Sequence, residues 1–438
     1  MSDLQGFATR AVHAGATPDP VTGSRATPIH QTTSYVFKDV DHAARLFGLQ
    51  EFGQIYTRIT NPTTDVLEAK IANLEGGAAA VAMASGHAAQ FSVFHVLMAP
   101  GDHFVAAKQL YGGSINQFSH AFKKFGWNAS FVQHDDLDAF RAALRPETKA
   151  IFIESIANPG GIVCDIEAIA RIAHDAGLPL IVDNTMASPY LVRPIEWGAD
   201  IVVHSLTKFI GGHGNSIGGV IVDSGRFDWG AQPERFPTLT QPLPFYAGLK
   251  IHDVFGKIPL GPGGAPVNIS LAIAARVFTL RDLGAALSPF NAFMILTGCE
   301  TLPLRMQRHC DNALAVARWL RAHPKVAWVS YAGLEDDPSH ARMRKYSPKG
   351  AGAVFTFGVR GGYEAGVKVV SGCKLFSHLA NIGDTRSLII HPASTTHRQV
   401  AEDLKAAAGA APEVVRVSIG IEDAADIIAD LEQALAAA

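Results

Sequence analysis

Two neighbouring stretches decide the fold: Leu180-Ile181-Val182-Asp183 and Ile201-Val202-Val203-His204-Ser205-Leu206-Thr207-Lys208. Each begins with consecutive aliphatic residues, which predicts a strand that is buried on both faces. Each then carries polar side chains at the carboxyl end of the strand, where open parallel sheets bind their ligands. The two stretches therefore predict adjacent parallel strands with a functional site at their carboxyl ends.

The same apolar pattern recurs in short runs along the first half of the chain, and amphipathic helical stretches separate several of them. The predicted strands are 79–83, 104–107, 129–132, 150–153, 180–182, 201–203 and 219–222. Strands that alternate with helices in this way predict an α/β fold, in which a mostly parallel sheet is covered by helices on both faces.

The flanking segments have other patterns. Residues 1–58 have weak periodicity and many turn formers, which predicts an extended arm that lies on its own body or on a second subunit. Residues 59–285 form the predicted α/β domain, and 286–438 mix strands with helices, which predicts a smaller α+β domain. The stretch 226–264 is rich in Pro, Gly and aromatic residues and is expected to be an insertion near the surface or the mouth of the site.

Composition excludes several classes of protein. The 438 residues are 48% apolar and 18% charged, which is typical of a globular protein and not of a disordered one. A net charge of −3 gives no electrostatic reason to expect nucleic acid or an anionic membrane as a partner. The four cysteines are far apart, so we expect no zinc knuckle or disulfide framework and infer a reducing cytoplasm. No apolar run or secretory h-region indicates a membrane or export signal.

The polar residues at the two strand ends match one cofactor, pyridoxal 5′-phosphate (PLP). The amine of Lys208 is suited to form a Schiff base with the cofactor aldehyde. The carboxylate of Asp183 is suited to keep the pyridine nitrogen protonated, which makes the ring an electron sink. The hydroxyls of Ser205 and Thr207 are expected to bind part of the phosphate.

A second segment predicts the rest of the phosphate site. Ser85-Gly86-His87 joins a predicted strand to a predicted helix, and a helix amino terminus presents free N–H groups to an anion. Tyr56 and Arg58 add a phenol and a guanidinium, whose planar fork suits phosphate. The plain alternatives are an ordinary helix cap at Ser85, a turn residue at Asp183 and a solvated Lys208. The pair on adjacent strands is more specific than either residue alone.

Several motifs occur in an order that resembles a known family. They are Tyr56-Thr57-Arg58-Ile59-Thr60-Asn61-Pro62-Thr63, Ser85-Gly86-His87-Ala88-Ala89, Tyr111-Gly112-Gly113-Ser114, Glu154-Ser155-Ile156-Ala157-Asn158-Pro159, Asp183-Asn184-Thr185, Ser205-Leu206-Thr207-Lys208 and His391-Pro392-Ala393-Ser394-Thr395-Thr396-His397. With them, nearly the whole chain resembles the Cys/Met metabolism family, the cystathionine γ-synthase-like branch of fold-type I PLP enzymes.

The resemblance implies a role for each matching residue. Lys208 would be the Schiff-base lysine and proton shuttle, Asp183 the partner of the pyridinium, and Tyr111 the residue that stacks on the ring and helps to move protons. The phosphate would be held by Ser85, Gly86, His87, Ser205 and Thr207. Asn158 would lie near the ring hydroxyl and the substrate carboxylate, which Arg416 would bind, with Ser387 as a further substrate residue.

The resemblance also implies a shared site. In this family the Tyr-x-Arg pair, here Tyr56 and Arg58, reaches the phosphate site of the neighbouring subunit, and Tyr56 is counted with the catalytic residues. This implies a homo-oligomer, commonly a dimer of dimers, and gives the arm a purpose. Arg386 is less well matched and is expected to be structural.

The motifs also narrow the reaction. Methionine-type γ-lyases carry a cysteine where this chain has Gly113, which disfavours that activity. The segments Tyr111-Gly112-Gly113-Ser114, 226–264, Asn381-Ile382-Gly383-Asp384-Thr385 and 390–397 resemble those of O-acetylhomoserine sulfhydrylases. The implied function is γ-replacement in methionine biosynthesis, in which O-acetylhomoserine and sulfide give homocysteine and acetate. O-succinylhomoserine sulfhydrylase, cystathionine γ-synthase and γ-lyase activities of the same family stay open.

Three unrelated classes are weaker alternatives. Ser205-Leu206-Thr207-Lys208 matches the S-x-x-K motif of serine acyl-enzymes, but the companion S-D-N, Y-x-N and K-T-G motifs do not occur. Gly212-His213-Gly214-Asn215-Ser216-Ile217 fails the dinucleotide fingerprint at its last position. The 18 histidines include no H-E-x-x-H pair, so we expect no catalytic metal.

Overall fold

The computed structural model describes residues 6–158, 160–396, 398 and 409–438. Pro159 and His397, which end two of the motifs, therefore lie outside the described residues. The strands are β1 Ala79–Met83, β2 His103–Ala107, β3 Asn128–Val132, β4 Thr148–Glu154, β5 Leu180–Asp183, β6 Ile201–Ser205, β7 Gly219–Asp223, β8 Val326–Ser330, β9 Val354–Val359, β10 Ser377–His378, β11 Leu388–Ile390 and β12 Val414–Ser418.

The α-helices lie between and around these strands. They are α1 Phe7–His13, α2 Val40–Phe47, α3 Pro62–Glu75, α4 Gly86–Leu97, α5 Gly112–Asn116, α6 Leu137–Ala142, α7 Ile166–Asp175, α8 Ser188–Leu191, α9 Pro237–Thr240, α10 Ile251–Phe255, α11 Ser270–Ala274, α12 Arg281–Leu283, α13 Pro289–Glu300, α14 Leu302–Ala322, α15 His340–Tyr346, α16 Gly362–Gly372 and α17 Ala424–Ala436. None of the described helices has both the length and the apolar character needed to cross a bilayer.

The first seven strands form one sheet, in the order β1-β7-β6-β5-β4-β2-β3. Strands β2 to β6 are parallel, and β7 runs antiparallel to both of its neighbours, β1 and β6. Every residue of β2 is buried, as a strand covered on both faces requires. The predicted α/β fold with a mostly parallel sheet is confirmed, and all seven strands predicted from apolar runs are present.

The carboxyl ends of β2, β4, β5 and β6 meet at one edge of this sheet. In register, Glu154 of β4 lies beside Asp183 of β5, and Asp183 lies beside Val203 of β6. Side chains alternate between faces along a strand, so Asp183 and its neighbour Asn184 face opposite sides. The polar side chains at the end of β5 are therefore divided between the two faces of the sheet, with Asp183 on one face and Asn184 on the other.

A second sheet of five strands lies later in the chain, in the order β10-β11-β12-β9-β8. Only β10 and β11 pair in parallel, whereas the other pairs are antiparallel. Its helices include α16 and α17, which pack against each other. The mixture of antiparallel strands and helices matches the α+β character expected of this part of the chain. The domain boundaries at 58/59 and 285/286 stay a prediction.

The N-terminal arm contains more regular structure than its weak periodicity predicts. Helix α1 packs on α3, where the buried amine of Lys70 donates to the carbonyls of Ala11 at 2.8 Å and Val12 at 3.0 Å. These are carbonyls at the carboxyl end of α1 that no helical N–H can reach. Helix α2 begins after Asp39, whose carboxylate accepts the N–H of His42. Tertiary contacts therefore stabilise α1, and the Asp39 cap stabilises the start of α2.

Candidate active site

A cavity of about 260 Å³ opens at the carboxyl edge of the large sheet and is closed on its other side by the second sheet. It collects most of the residues that the sequence singled out. The cavity is lined by Ser85, Gly86, His87, Gln90, Tyr111, Ser114, Glu154, Ile156, Asn158, Asp183, Thr185, Met186, Ser205, Thr207, Lys208, Ile217, Ala380, Asn381, Ile382 and Arg416. Strand ends, a helix start and one loop of the C-terminal part therefore build a single site.

Asp183 ends β5 with its carboxylate in this cavity. Its Oδ1 accepts the backbone N–H of Thr185 at 2.9 Å, and its Oδ2 accepts a hydrogen bond from Nε2 of Gln90 at 3.4 Å. Burial raises the pKa of this carboxyl, and the hydrogen bonds from Thr185 oppose that effect. A cation placed opposite the carboxylate would compensate the cost of its burial.

Lys208 follows β6 and turns its amine into the same cavity. Its Nζ donates to Oδ1 of Asn381 at 2.5 Å. Burial and then the nearby Arg416 guanidinium lower the pKa of this amine to about 8. A lysine with this pKa has a substantial neutral fraction near pH 7 to 8, which is the form that reacts with a carbonyl and accepts a proton.

The start of helix α4 faces these two residues. Ser85 is the N-cap, with its Oγ accepting the N–H of Ala88 at 3.1 Å, so the ordinary capping role is present. A Cβ at Gly86 would lie 2.8 Å from Cβ of Ser205, so only glycine allows the helix start to approach β6 this closely. The first N–H groups of α4 have no intrahelical acceptor and point to an anion site beside Ser205.

Thr207 lies on the same side and is held by the chain. Its Oγ1 accepts the N–H of Gly218 at 3.1 Å and donates to the carbonyl of Gly218 at 3.2 Å. This exchange ties the Ser205–Lys208 turn to the residue that precedes β7. The turn that carries the lysine is therefore fixed to the sheet on both sides.

Tyr111 lies where the chain leaves β2. Its ring stacks on the His87 ring with centroids 5.8 Å apart and an angle of 27° between the planes. Burial lowers the pKa of His87, so this imidazole is neutral at physiological pH. The phenol of Tyr111 is half exposed to the cavity, and its backbone N–H donates to Oε1 of Glu154 at 2.6 Å.

Arg416 projects from β12 and brings a buried positive charge to the cavity. Its Nη1 donates to Oδ1 of Asn158 at 3.3 Å, and its Nη2 donates to the carbonyl of Asn381 at 3.2 Å. Only 8% of the residue is exposed, and burial lowers its pKa to about 10. Within the described parts of the chain these bonds are to neutral groups, so the guanidinium keeps its charge available for a carboxylate ligand.

Three predicted site residues do not line this cavity: Tyr56, Arg58 and Ser387. Tyr56 is 41% exposed, and the Arg58 guanidinium lies 5.4 Å from the centre of its ring. Ser387 is buried and donates through its Oγ to Oε2 of Glu422 at 3.0 Å, so within this chain its hydroxyl is used for structure. The exposed Arg386 pairs with Asp384 at 3.2 Å, as expected for a structural residue.

The cavity also contains polar residues that sequence reasoning missed, chiefly Gln90, Glu154 and Asn381. Glu154 ends a buried strand in the same way as Asp183, and that pattern was available as a signal. Gln90 lies one helical turn after Gly86 on α4, which places it near the same ligand. Asn381 lies in a loop that reaches the site from beside the second sheet, and the segment that begins with it resembles those of sulfhydrylases without indicating a role for its side chain.

The donor set fits PLP. An amine, a carboxylate and a helix amino terminus with two hydroxyls surround one cavity, which matches the aldehyde, the pyridine nitrogen and the phosphate of the cofactor. The close approach that only Gly86 permits leaves bare backbone N–H groups for the phosphate. Ser205 ends strand β6 and does not open a helix, which is contrary to the serine acyl-enzyme alternative.

Comparisons with known proteins agree with this chemistry. The family model of the Cys/Met metabolism PLP-dependent enzymes matches residues 8–436. The chain is 53% identical to O-acetyl-L-homoserine sulfhydrylase of Leptospira meyeri over 428 residues, which cover 98% of this chain and 96% of that protein. It is 50% identical to homocysteine synthase of Schizosaccharomyces pombe over 430 residues, which cover 98% of each chain.

A solved structure has the same fold. A Campylobacter jejuni protein assigned as an O-acetylhomoserine (thiol)-lyase superposes with a TM-score of 0.93 at 38% identity, over 99% of this chain and 100% of that one. The crystal of that protein contains N′-pyridoxyl-lysine-5′-monophosphate, a lysine joined to the cofactor. A family match over nearly the whole chain, relatives at about half identity and a shared fold lead to one conclusion: the chain belongs to the Cys/Met metabolism family of PLP-dependent enzymes.

Proposed function

We propose that this enzyme catalyses γ-replacement on O-acetylhomoserine, with sulfide as the nucleophile and homocysteine and acetate as products. The bond from Cγ to the acetate oxygen breaks and a bond from Cγ to sulfur forms. Hydrosulfide keeps its proton as the thiol of homocysteine, and its negative charge leaves with acetate. Relatives named for O-acetylhomoserine sulfhydrylase and homocysteine synthase activity support this proposal. The reaction belongs to methionine biosynthesis.

The observation that carries the choice of substrate is the charge of the cavity wall. Of the described lining residues, only Lys208 and Arg416 are cationic, because His87 is kept neutral by burial. Arg416 would pair with the α-carboxylate of the substrate and would not be available to a second carboxylate. A succinyl leaving group would bring a second carboxylate, which needs a cation of its own to offset its desolvation. An acetyl group needs none, and the side chains of Ile217 and Ile382 offer it an apolar wall.

Different residues of the cavity would bind different parts of the cofactor. When bound, PLP withdraws electrons from the substrate carbon next to the amino group. Asp183 would hold the pyridine nitrogen, Tyr111 would stack on the ring, and Asn158 would lie at its edge. The phosphate would be held by Ser85, Gly86, His87, Ser205 and Thr207.

Lys208 would hold and move the protons of the reaction. Its pKa of about 8 lets the amine accept a proton from the substrate and return it at a neighbouring carbon within the same turnover. The phenol of Tyr111, which faces the cavity, would assist this transfer. Arg416 would fix the α-carboxylate with two parallel hydrogen bonds, so that the substrate carbons lie within reach of the amine.

We also propose that the site is completed by a second copy of the chain in a homo-oligomer. Tyr56 and Arg58 are accessible on the arm and do not line the cavity of their own chain, which leaves them available to reach a neighbouring phosphate site. Tyr56 would then join the catalytic residues of that neighbour. The four cysteines are free thiols, which suits our placement of the enzyme in the reducing cytoplasm.

The test compares leaving groups and nucleophiles in parallel. We expect kcat/KM with sulfide to be at least tenfold higher for O-acetylhomoserine than for O-succinylhomoserine, since the second carboxylate lacks a cation. Replacing sulfide by cysteine tests cystathionine γ-synthase activity, and elimination from cysteine or methionine tests lyase activity. Equal or higher kcat/KM for the succinyl ester, or faster turnover with cysteine, would overturn the proposal.

A further inference from the structure

A buried carboxylate at the back of the cavity has no part in the chemistry described above. Glu154 is the last residue of β4, is only 3% exposed and lies in register with Asp183. Its Oε1 accepts the backbone N–H of Tyr111 at 2.6 Å, and its Oε2 accepts the backbone N–H of Asn158 at 2.9 Å. Each oxygen of one carboxylate therefore holds a different segment of the chain.

The two segments carry opposite parts of the site. Tyr111 follows β2 and opens helix α5, and its ring stacks on His87. Asn158 follows β4, and its amide oxygen accepts a hydrogen bond from Arg416 at 3.3 Å. The stacking ring and the residue that contacts the carboxylate-binding arginine thus share a single backbone anchor. A shift of this anchor would move both of them relative to the strand ends.

The burial of Glu154 beside a second carboxylate costs desolvation and repulsion free energy, which indicates a role for this side chain beyond packing. Its burial and the neighbouring Asp183 carboxylate raise the pKa of Glu154 well above its usual value, and the hydrogen bonds from the N–H groups of Tyr111 and Asn158 oppose that effect. An amide would avoid this cost. A glutamine, however, has a single acceptor oxygen and would turn its NH₂ group toward the second N–H donor. Only a carboxylate satisfies both donors at once.

We propose that Glu154 is a positioning residue, which fixes Tyr111 and Asn158 at a set separation across the cofactor site. It acts through their backbone N–H groups, which engage both of its oxygens. The effect on turnover rests on the proposed function, whereas the anchoring itself rests on the two hydrogen bonds alone. The test therefore measures the anchor directly as well as the activity.

The experiment is amide hydrogen exchange on the holoenzyme, with Glu154→Gln as the variant. We expect exchange at the amides of Tyr111 and Asn158 to accelerate together by about 10- to 100-fold, since in the variant the single acceptor oxygen cannot keep both buried hydrogen bonds. The visible circular dichroism of the bound cofactor should fall, and kcat/KM should fall by about tenfold or more. Glu154→Gln and Tyr111→Ala should be non-additive in kcat/KM, because the first acts partly through the second.

Asp223→Asn is the matched control. Asp223 is also a buried carboxylate, and it accepts two backbone N–H groups, from Gly225 at 3.0 Å and Ala272 at 3.2 Å. It is the last residue of β7 and lies beside Ile201, at the end of β6 away from the cavity. It does not line the cavity. The control should speed exchange only near its own partners and leave the cofactor dichroism unchanged.

The inference falls if Glu154→Gln leaves exchange at both amides unchanged, or if it alters the cofactor signal no more than the control does. If that variant does not fold, Glu154→Asp replaces it, because the shorter side chain keeps the carboxyl group but reaches only one of the two donors. Unchanged exchange at both amides in Glu154→Asp would also overturn the inference. A failure of the proposed function appears elsewhere, as a kcat/KM with sulfide that is equal or higher for O-succinylhomoserine than for O-acetylhomoserine.

Discussion

The Lys208 amine donates to the Asn381 side-chain oxygen at 2.5 Å, although the two residues belong to different parts of the chain. The backbone carbonyl of the same asparagine accepts a hydrogen bond from Arg416 at 3.2 Å. One loop residue of the C-terminal part therefore contacts both the reactive amine and the guanidinium proposed to bind the substrate. The two parts of the chain must be assembled before the site is complete.

Lys208→Ala tests the covalent attachment of the cofactor. We expect the absorbance of the aldimine between the lysine and the cofactor to disappear and turnover to fall below detection, because no other described lysine lines the cavity. Absorbance spectra and an assay of homocysteine formation measure both effects. A coloured variant with full turnover would refute the assignment of Lys208.

Asn381→Ala tests whether the loop orients the amine. The substitution removes the hydrogen bond to Lys208 but keeps the backbone carbonyl that contacts Arg416. We therefore expect kcat to fall by about tenfold, since one hydrogen bond to a charged group is lost, while KM stays nearly constant. Steady-state kinetics with O-acetylhomoserine measure the split. A rise in KM at constant kcat would contradict the proposed orientation of the amine.

Arg416→Lys tests the binding of the substrate carboxylate. Lysine keeps the charge but cannot form two parallel hydrogen bonds, so we expect KM to rise by about 10- to 100-fold. Arg386→Lys is the control, because that guanidinium is exposed and paired with Asp384. An unchanged KM in Arg416→Lys, or an equal rise in the control, would show that the carboxylate binds elsewhere.

The pKa of Lys208 predicts a pH dependence for cofactor uptake. Only the neutral amine reacts with an aldehyde, and burial lowers the pKa of this amine to about 8 from 10.5. The rate at which cofactor-free enzyme recombines with PLP should therefore rise with pH and level off above about 8. Arg416→Ala removes a positive neighbour that disfavours the protonated amine, so the midpoint should move to higher pH. A midpoint near 10.5 in the wild type would contradict the lowered pKa.

The sequence predicted the large sheet because each of its strands is a short apolar run that needs no distant information. The same logic located Asp183 and Lys208, since parallel strands end at a common edge. Glu154 also ends a parallel strand, but its carboxyl oxygens bind the backbone N–H groups of Tyr111 and Asn158. Local pattern thus finds strand ends, but it does not distinguish a ligand contact from an anchor.

Residues that reach the site through tertiary structure could not be predicted in the same way. Asn381 comes from a loop beside the second sheet, and the motif that contains it does not indicate that its side chain contacts Lys208. Helix α1 depends on Lys70, which lies far along the chain and binds its terminal carbonyls. In both examples the deciding contact is long-range, so neither periodicity nor a motif contains it.

The role proposed for Tyr56 and Arg58 in a neighbouring subunit predicts that two inactive variants restore each other. Arg58→Ala damages the site of the neighbour, whereas Lys208→Ala damages the site of its own chain. In a mixed dimer one site carries both changes and the other carries neither, so reassembly of equal amounts should recover about a quarter of the wild-type activity. Each variant alone should stay inactive after the same unfolding and reassembly. Mixtures that recover no activity, although mass spectrometry shows mixed oligomers, would place both residues in the site of their own chain.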